Sequence, residues 1–223
     1  MNEAKAEIVR RIIQGKVAFA GLFVIGITGG TGAGKTSALR ALRALGALVL
    51  DCDVVYHELL QSNADIKTEI EGRFEGILRG GEIDRKRLSG IVFTDESALR
   101  DLSAITHKYV SSEIERRMSD WETQGGTVAV IDAIALIESG RSKKCDIVVV
   151  VSAPADVRIS RIMRRDRISR EQARQRISAQ KPDSFYRENC DHILENDYNT
   201  ASEFEEKCKE FFNEIIGGYK NAG

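Results

Sequence analysis

Two patterns of apolar residues alternate along this chain. One is a short continuous apolar run, which is typical of a strand buried on both faces of a parallel sheet. Such runs occupy residues 23–27, 47–50, 127–131 and 147–151, and residues 191–194 are predicted to form a short last strand. The other is an apolar residue at every third or fourth position, which indicates a helix with one buried face. Their alternation predicts an α/β fold in which helices flank a parallel sheet.

Most of the chain between these runs has an apolar residue at every third or fourth position. The predicted helices occupy residues 3–14, 37–45, 54–60, 65–78, 84–92, 96–103, 106–124 and 200–216. Glycines mark several of their ends: Gly46 is a candidate C-cap, the pair Gly80 and Gly81 breaks the pattern, and Gly217 is expected to end the last helix. Because residues 61–124 contain helices and no clear strand, they are predicted to form an inserted helical subdomain.

The predicted elements divide the chain into four parts. These are an N-terminal helical extension (1–20), a nucleotide-binding core (21–60, 125–154 and 190–223), the helical subdomain (61–124) and an arginine-rich lid (155–189). The extension is expected to pack on the flank of the core. Inserted subdomains often shape the pocket of an acceptor substrate, so residues 61–124 are assigned to the acceptor by analogy.

A glycine-rich segment follows the first apolar run. Residues 29–36, GGTGAGKT, match G-x-x-x-x-G-K-[ST] and lie between a predicted strand and a predicted helix. Glycine lets the backbone approach phosphate oxygens, Lys35 would reach the β- and γ-phosphates, and the Thr36 hydroxyl would hold Mg²⁺. The ATP-binding residues predicted here are Gly30, Thr31, Gly32, Ala33, Gly34, Lys35, Thr36 and Ser37. The alternative is a glycine-rich turn with a chance lysine.

Carboxylates follow two of the predicted strands. Asp51 and Asp53 come after the run 47–50, and ligands of open α/β sheets bind beyond the carboxyl ends of the strands. Asp53 is therefore a candidate for the chemistry, and the alternative is that it caps the helix that follows. Asp132 comes after the run 127–131 and resembles a Walker-B aspartate, which supports Mg²⁺.

Eight arginines crowd the segment from Arg158 to Arg176. Ser169 and Gln172 have the spacing of a capping box, so this segment is predicted to be a helical hairpin. One interpretation is a lid that closes on ATP and brings arginines, Arg165 first, to the transferring phosphoryl group. The alternatives are a solvated helical face and a nucleic-acid patch. The absence of interleaved aromatic residues weighs against nucleic acid.

Composition narrows the class of protein. The 223 residues include 42% hydrophobic and 30% charged residues, which is ordinary for a globular protein. The formal net charge of −1 gives no reason to expect binding to nucleic acid or to an anionic membrane. The apolar stretch 17–27 is too short to span a bilayer and leads into the glycine-rich segment, so no membrane segment is predicted. The four cysteines are far apart in sequence, which favours reduced thiols in the cytoplasm. The three histidines lack metal-ligand spacing, so Mg²⁺ is the only metal expected.

The motifs, taken in this order, resemble those of the dephospho-coenzyme A kinase family. The resemblance covers residues 24–197, and it implies a P-loop NTPase fold like that of nucleoside-monophosphate kinases. The segments that carry it are the glycine-rich segment, the Asp-x-Asp at 51–53, EIDRKRLSGIVF, LSAITHKYV, AIALIE, RISAQ and ILEND. The chain departs from the family pattern at Lys108, where the family has proline, and at Ile134 and Ala135, where it has proline and leucine.

The resemblance implies a reaction and roles for particular residues. The reaction is ATP-dependent phosphorylation of the ribose 3′-hydroxyl of dephospho-CoA, the last step of CoA synthesis, with Asp53 as the base. The further roles are ATP binding by Arg161 and Asn196, acceptor binding by Asp53, Arg85, His107 and Gln180, catalysis by Lys35 and Arg165, and Mg²⁺ binding by Thr36 and Asp132.

Two alternatives to this function stay open. One is another P-loop small-molecule kinase that acts on a nucleoside or nucleotide, and the other is a catalytically weak nucleotide-binding regulatory module. The expected partners are ATP and dephospho-CoA, with no nucleic acid and no membrane. The chain is expected to be a monomer or a small homo-oligomer.

Overall fold

A five-stranded sheet forms the centre of the protein. The computed structural model describes residues 21–220, so the predicted helix 3–14 and the extension 1–20 lie outside the described residues. The strands are β1 (Phe23–Thr28), β2 (Leu48–Asp51), β5 (Val128–Asp132), β6 (Ile147–Ser152) and β7 (His192–Glu195), in the order β2-β5-β1-β6-β7. The pairs β1–β5, β1–β6 and β6–β7 are parallel. The predicted parallel sheet flanked by helices is confirmed.

The central strands are buried along their whole length. All six residues of β1 and all five of β5 are buried, which is why they read as continuous apolar runs in the sequence. The register pairs Ile27 of β1 with Asp132 of β5. Asp132 therefore lies beside the point where β1 passes into the glycine-rich segment.

Nine helices and a short hairpin complete the part of the chain that the structure describes. The helices are α1 (Lys35–Ala44), α2 (Cys52–Ser62), α3 (Ala64–Arg73), α4 (Arg85–Val92), α5 (Glu96–Thr123), α6 (Ala155–Asp166), α7 (Arg170–Ser178), α8 (Asp183–Asn189) and α9 (Ala201–Lys220). The hairpin consists of the antiparallel strands β3 (Leu78–Arg79) and β4 (Glu82–Ile83). A 3₁₀ turn spans Arg141–Lys144. None of the described helices is both long enough and apolar enough to cross a bilayer.

Several predicted boundaries are wrong. Gly80 and Gly81 form the turn of the β3–β4 hairpin, at φ of 61° and 83°, rather than a simple break between helices. The two helices predicted at 96–103 and 106–124 are one helix, α5. Gly217 does not end the last helix, which continues to Lys220. Gly46 does end α1: its φ is 82°, and its N–H donates to Arg43 O at 3.0 Å.

One apolar cluster joins the sheet to α1 and α9. Phe204, Cys208 and Phe212 of α9 are fully buried in it, together with apolar side chains of β1 and α1. Near the end of α9, the ring of Tyr219 stacks on Phe23 of β1 at 4.3 Å. This packing fixes the start of α1, and so it fixes the glycine-rich segment that precedes α1.

The chain forms two compact units. Among the described residues, 21–49 and 121–220 form the first unit, which contains the glycine-rich segment and the arginine-rich hairpin. Leu50–Asp120 forms the second. Its core includes the fully buried Ile66, Ile70 and Ile77. The Glu71 carboxylate accepts hydrogen bonds from Gly76 N and Leu78 N and so orders the approach to the hairpin.

Candidate active site

The glycine-rich segment forms a tight loop between β1 and α1. Gly29, Gly32 and Gly34 have φ values of 144°, 80° and 108°, which side chains other than glycine rarely adopt. The loop closes on itself where Ala33 N donates to Gly30 O at 3.1 Å. It borders a cavity of about 280 Å³. The lining residues are Gly29, Gly30, Thr31, Gly32, Gly34, Lys35, Thr36, Ile134, Arg161 and Arg165.

The first turn of α1 supplies a lysine to this cavity. Lys35 Nζ donates a hydrogen bond to Asp132 Oδ1 at 2.9 Å, and both side chains are largely buried. Thr36 is exposed beside it. Ser37 is buried, and its hydroxyl donates to Ala201 O at 3.4 Å, so this hydroxyl holds α1 to the start of α9.

Arg161 and Asn196 hold the loop from the side of the arginine-rich hairpin. Arg161 donates to Gly32 O and Ala33 O at 3.4 and 3.3 Å, and to Asn196 Oδ1 at 3.1 Å. The buried Asn196 donates through Nδ2 to Ala33 O at 2.8 Å. Burial, and secondarily the charge of Arg164, lowers the pKa of Arg161 from its ordinary value. The structure thus brings both predicted ATP-binding residues to the loop.

Arg165 lies on the cavity wall with an acid beside it. It donates to both carboxylate oxygens of Asp166, at 2.7 and 3.0 Å, and Arg176 binds the same carboxylate. These partners, Arg165 first, lower the pKa of Asp166. The predicted helical hairpin is confirmed as α6 and α7, and the Ser169–Gln172 capping box is present at the start of α7.

Gln180 lies against the glycine-rich segment. Its side chain contacts Thr31 at two atoms, the backbone N–H and Oγ1, both at 3.1 Å. Arg158 also contacts Thr31, because its Nε donates to Thr31 O. The sequence patterns gave Arg158 no role of its own among the eight arginines. The signal that could have found it is spacing. Arg158 precedes the buried Ile162 by four positions and so lies on the inward face of α6.

The remaining predicted site residues belong to the second unit. Asp51 is the N-cap of α2, accepting from Asp53 N at 2.9 Å and Val54 N at 3.1 Å. The capping alternative for Asp53 is therefore wrong, because Asp51 performs that function and the Asp53 carboxylate is exposed in the first turn. Arg85 is exposed at the start of α4, and His107 is exposed on α5.

Tyr56 of α2 is a residue of the second unit that the sequence did not single out. Burial is the main cause that raises its pKa above the ordinary value, and the nearby charge of Arg85 partly opposes this. The ring of Tyr56 also lies 5.6 Å from that of His57. An aromatic residue therefore accompanies Arg85, one of the predicted acceptor-binding residues, within this unit.

Comparison with known proteins identifies the family. The family model for dephospho-CoA kinase matches residues 23–202. The chain belongs to the dephospho-CoA kinase family. It is 37% identical to the dephospho-CoA kinase of Geobacter sulfurreducens over 191 residues, which is 85% of this chain and 96% of that protein. It is 34% identical to that of Thermobifida fusca over 193 residues, 86% of this chain and 95% of the relative.

Two solved structures share this fold, and one of them is a dephospho-CoA kinase. Dephospho-CoA kinase from Campylobacter jejuni has a TM-score of 0.58 and 25% identity, covering 88% of this chain and 98% of its own. The protein TT1252 from Thermus thermophilus has a TM-score of 0.73 and 29% identity, with coverage of 86% and 97%. The chain is thus an ATP-dependent phosphotransferase of a family that carries out the final step of CoA biosynthesis.

Proposed function

We propose that the cavity at residues 29–36 holds the triphosphate of ATP for transfer of the γ-phosphate to the ribose 3′-hydroxyl of dephospho-CoA. One observation carries this proposal. The loop, the N-terminus of α1, Lys35, Arg161 and Arg165 all border the same cavity. Backbone N–H groups at a helix N-terminus, with an ammonium and guanidinium groups, are the donors that bind phosphate oxygens best.

Phosphoryl transfer needs position and charge more than covalent participation by the protein. Its transition state is loose, with negative charge spread over the phosphoryl oxygens. Lys35 and the loop N–H groups hold the β- and γ-phosphates, and Arg161 and Asn196 keep the loop in shape. Arg165 stabilises the charge on the transferring group. The two hydrogen bonds that Arg165 donates to the Asp166 carboxylate fix the orientation of that guanidinium.

Thr36 and Asp132 are suited to a magnesium ion that arrives with the nucleotide. Mg²⁺ prefers oxygen ligands and in nucleotide sites takes one or two from the protein, the others being water and phosphate oxygens. Thr36 offers an exposed hydroxyl at the cavity, and Asp132 offers a carboxylate beside Lys35. When bound, the ion neutralises charge on the phosphates.

Asp53 is proposed to orient the acceptor hydroxyl. The support is that the Asp53 carboxylate is exposed at the start of α2. It does not cap this helix, because Asp51 is the N-cap. A carboxylate is a weak base for an alcohol, so its main task is to align the hydroxyl, with the proton leaving late. Arg85 and His107 are proposed to bind the acceptor in the second unit, residues 50–120, which would make this unit the acceptor subdomain.

The cellular location, oligomeric state and small-molecule partners of the enzyme are also proposals. The dispersed cysteines support reduced thiols, and with the use of ATP they support a cytoplasmic location. A monomer or small homo-oligomer is proposed, with ATP and dephospho-CoA as its small-molecule partners.

An acceptor panel tests the function directly. The purified chain is incubated with γ-labelled ATP and either dephospho-CoA, a nucleoside, a nucleoside monophosphate or no acceptor. We expect labelled product with dephospho-CoA at about 1–100 per second, the usual range for kinases. Far better use of another acceptor would assign the chain to a different kinase activity. Slow hydrolysis alone would favour the regulatory module.

A further inference from the structure

Two side chains bind every polar atom of Thr31 in the glycine-rich segment, residues 29–36, which is called the phosphate loop below. Gln180 Oε1 accepts from Thr31 N at 3.1 Å, and Gln180 Nε2 forms a hydrogen bond with Thr31 Oγ1 at 3.1 Å. Arg158 Nε donates to Thr31 O at 3.0 Å. Arg158 Nη2 donates to Gln180 Oε1 at 2.6 Å and so closes the ring. We name these three residues the Thr31 latch.

The latch joins the loop to both ends of the arginine-rich hairpin. Arg158 lies in the first turn of α6, and Gln180 follows the end of α7. Neither residue lines the cavity at the loop, whereas Thr31, Arg161 and Arg165 do. The latch therefore acts on the nucleotide site through the loop backbone and not by touching a ligand in the cavity.

Burial of Arg158 makes its hydrogen bonds within the latch important. Arg158 is 7% exposed, so its charged guanidinium is buried. Its ion pair with Asp183 is long, at 3.9 Å, and Asp183 is mostly exposed. A buried charge is costly unless hydrogen bonds compensate it, so Arg158 depends on Thr31 and Gln180 staying in place.

Two glycines of the loop lie directly against residues of the latch. A Cβ atom on Gly30 would lie 2.2 Å from Arg158 Nη2 and 3.0 Å from Gln180 Oε1. A Cβ atom on Gly32 would lie 2.9 Å from Arg158 O. Contacts under 3.0 Å are not tolerated without a shift of the neighbouring atoms. These two glycines thus make room for protein groups behind the loop.

We propose that Arg158 and Gln180 are positioning residues that preset the phosphate loop for ATP and couple it to the hairpin that carries Arg161 and Arg165. This inference rests on the proposed ATP site. A loop that is already ordered loses less freedom when it binds a ligand, so removal of the latch weakens ATP binding. The family resemblance implies that Gln180 binds the acceptor, but its observed contacts are with the loop, so we expect its loss to act on ATP and not on the acceptor.

The test compares Gln180→Ala with the control Gln175→Ala, which changes an exposed glutamine of α7. Nucleotide binding is measured by titration calorimetry with ATP, and steady-state kinetics give separate KM values for ATP and dephospho-CoA. We expect Gln180→Ala to raise the Kd and KM for ATP by about tenfold, the equivalent of one or two hydrogen bonds. The KM for dephospho-CoA should stay within about twofold. Gln175→Ala should match the wild type.

Gln180→Glu provides the rescue. Glutamate keeps the oxygens that accept from Thr31 N and Arg158, so its ATP affinity should recover to within about threefold of the wild type. The proposal is overturned if folded Gln180→Ala binds ATP normally, if only the KM for dephospho-CoA rises, or if glutamate restores nothing. Failure of the proposed function is a separate result, since the wild type and Gln175→Ala would then also fail to phosphorylate dephospho-CoA.

Discussion

Lys35 Nζ lies 2.9 Å from Asp132 Oδ1 and donates a hydrogen bond to it. The first residue of α1 is thus bonded to the last residue of β5, which pairs with Ile27, the residue before the end of β1. This contact holds the ammonium of Lys35 at the cavity, between two elements of the first unit. Under the proposed function, a triphosphate that enters the cavity would meet a lysine that is already oriented, which lowers the entropic cost of binding it.

Asp132→Asn tests this relationship. The amide oxygen can still accept from Lys35 but carries no charge, and this loss of the charged partner in a largely buried pair is expected to lower the free energy of unfolding by about 1–3 kcal/mol. We expect a lower melting temperature and a higher Mg²⁺ concentration for half-maximal activity. Asp120→Asn, at an exposed aspartate of α5, serves as the control. Unchanged stability and an unchanged Mg²⁺ requirement would remove Asp132 from this role.

Gly34→Ala tests how the loop is held. A Cβ atom there would lie 2.2 Å from Asn196 Nδ2, and the φ of 108° is unfavourable for alanine. We expect ATP affinity to fall by at least about tenfold, since displacement of Asn196 frees the carbonyl of Ala33.

Gly72→Ala is the matched control. Gly72 lies in α3 with open space at its Cβ position, and alanine is the better helix former by roughly 1 kcal/mol. This variant should keep full ATP affinity and have an equal or higher melting temperature. Normal ATP binding by Gly34→Ala would contradict the account of the loop.

Asp166→Asn tests the orientation of Arg165. The neutral amide weakens the paired hydrogen bonds that fix this guanidinium, so we expect kcat to fall by about tenfold with little change in the KM for ATP. Asp156→Asn removes the exposed ion pair with Arg170 and should have no effect on kcat. Equal activity of the two variants would show that the carboxylate of Asp166 does not position Arg165.

Acid stability tests an ion pair in the second unit. Hydrogen bonds from Arg116, and secondarily from Arg117, lower the pKa of Glu113 from 4.5 to about 2. The ionised form is therefore favoured by folding, and its contribution is complete above pH 4.5 and lost as the pH falls towards 2. We expect the melting temperature of the wild type to fall more steeply over this range than that of Glu113→Gln. Glu75→Gln, at an exposed glutamate, should follow the wild type.

The strands and the loop could be predicted because their signals are local. Strands buried on both faces appear as continuous apolar runs, and the loop needs its glycines and lysine at fixed spacing. The β3–β4 hairpin was missed because two-residue strands are too short to show a period of two. Gly217 does not end α9, because Tyr219 beyond it stacks on Phe23 and stabilises another turn.

The identity of the contacts at the loop could not be predicted from spacing alone. Spacing places Arg158 on the same face of α6 as Ile162, but only the structure shows that Arg158 is buried and donates to Thr31 O. Asp51 and Asp53 are equally good capping residues by composition, and the backbone geometry decides that Asp51 is the cap.

A single-turnover assay with Asp53→Asn tests the central claim most directly. The variant is mixed with γ-labelled ATP and dephospho-CoA, and label in the 3′-phosphate of CoA is followed beside nucleotide binding. Asp65→Asn, which changes an aspartate in the first turn of α3, is the control. We expect Asp53→Asn to bind ATP normally while transfer slows by about 10²-fold or more, and Asp65→Asn to transfer at the wild-type rate. Transfer at the wild-type rate by Asp53→Asn would contradict the account.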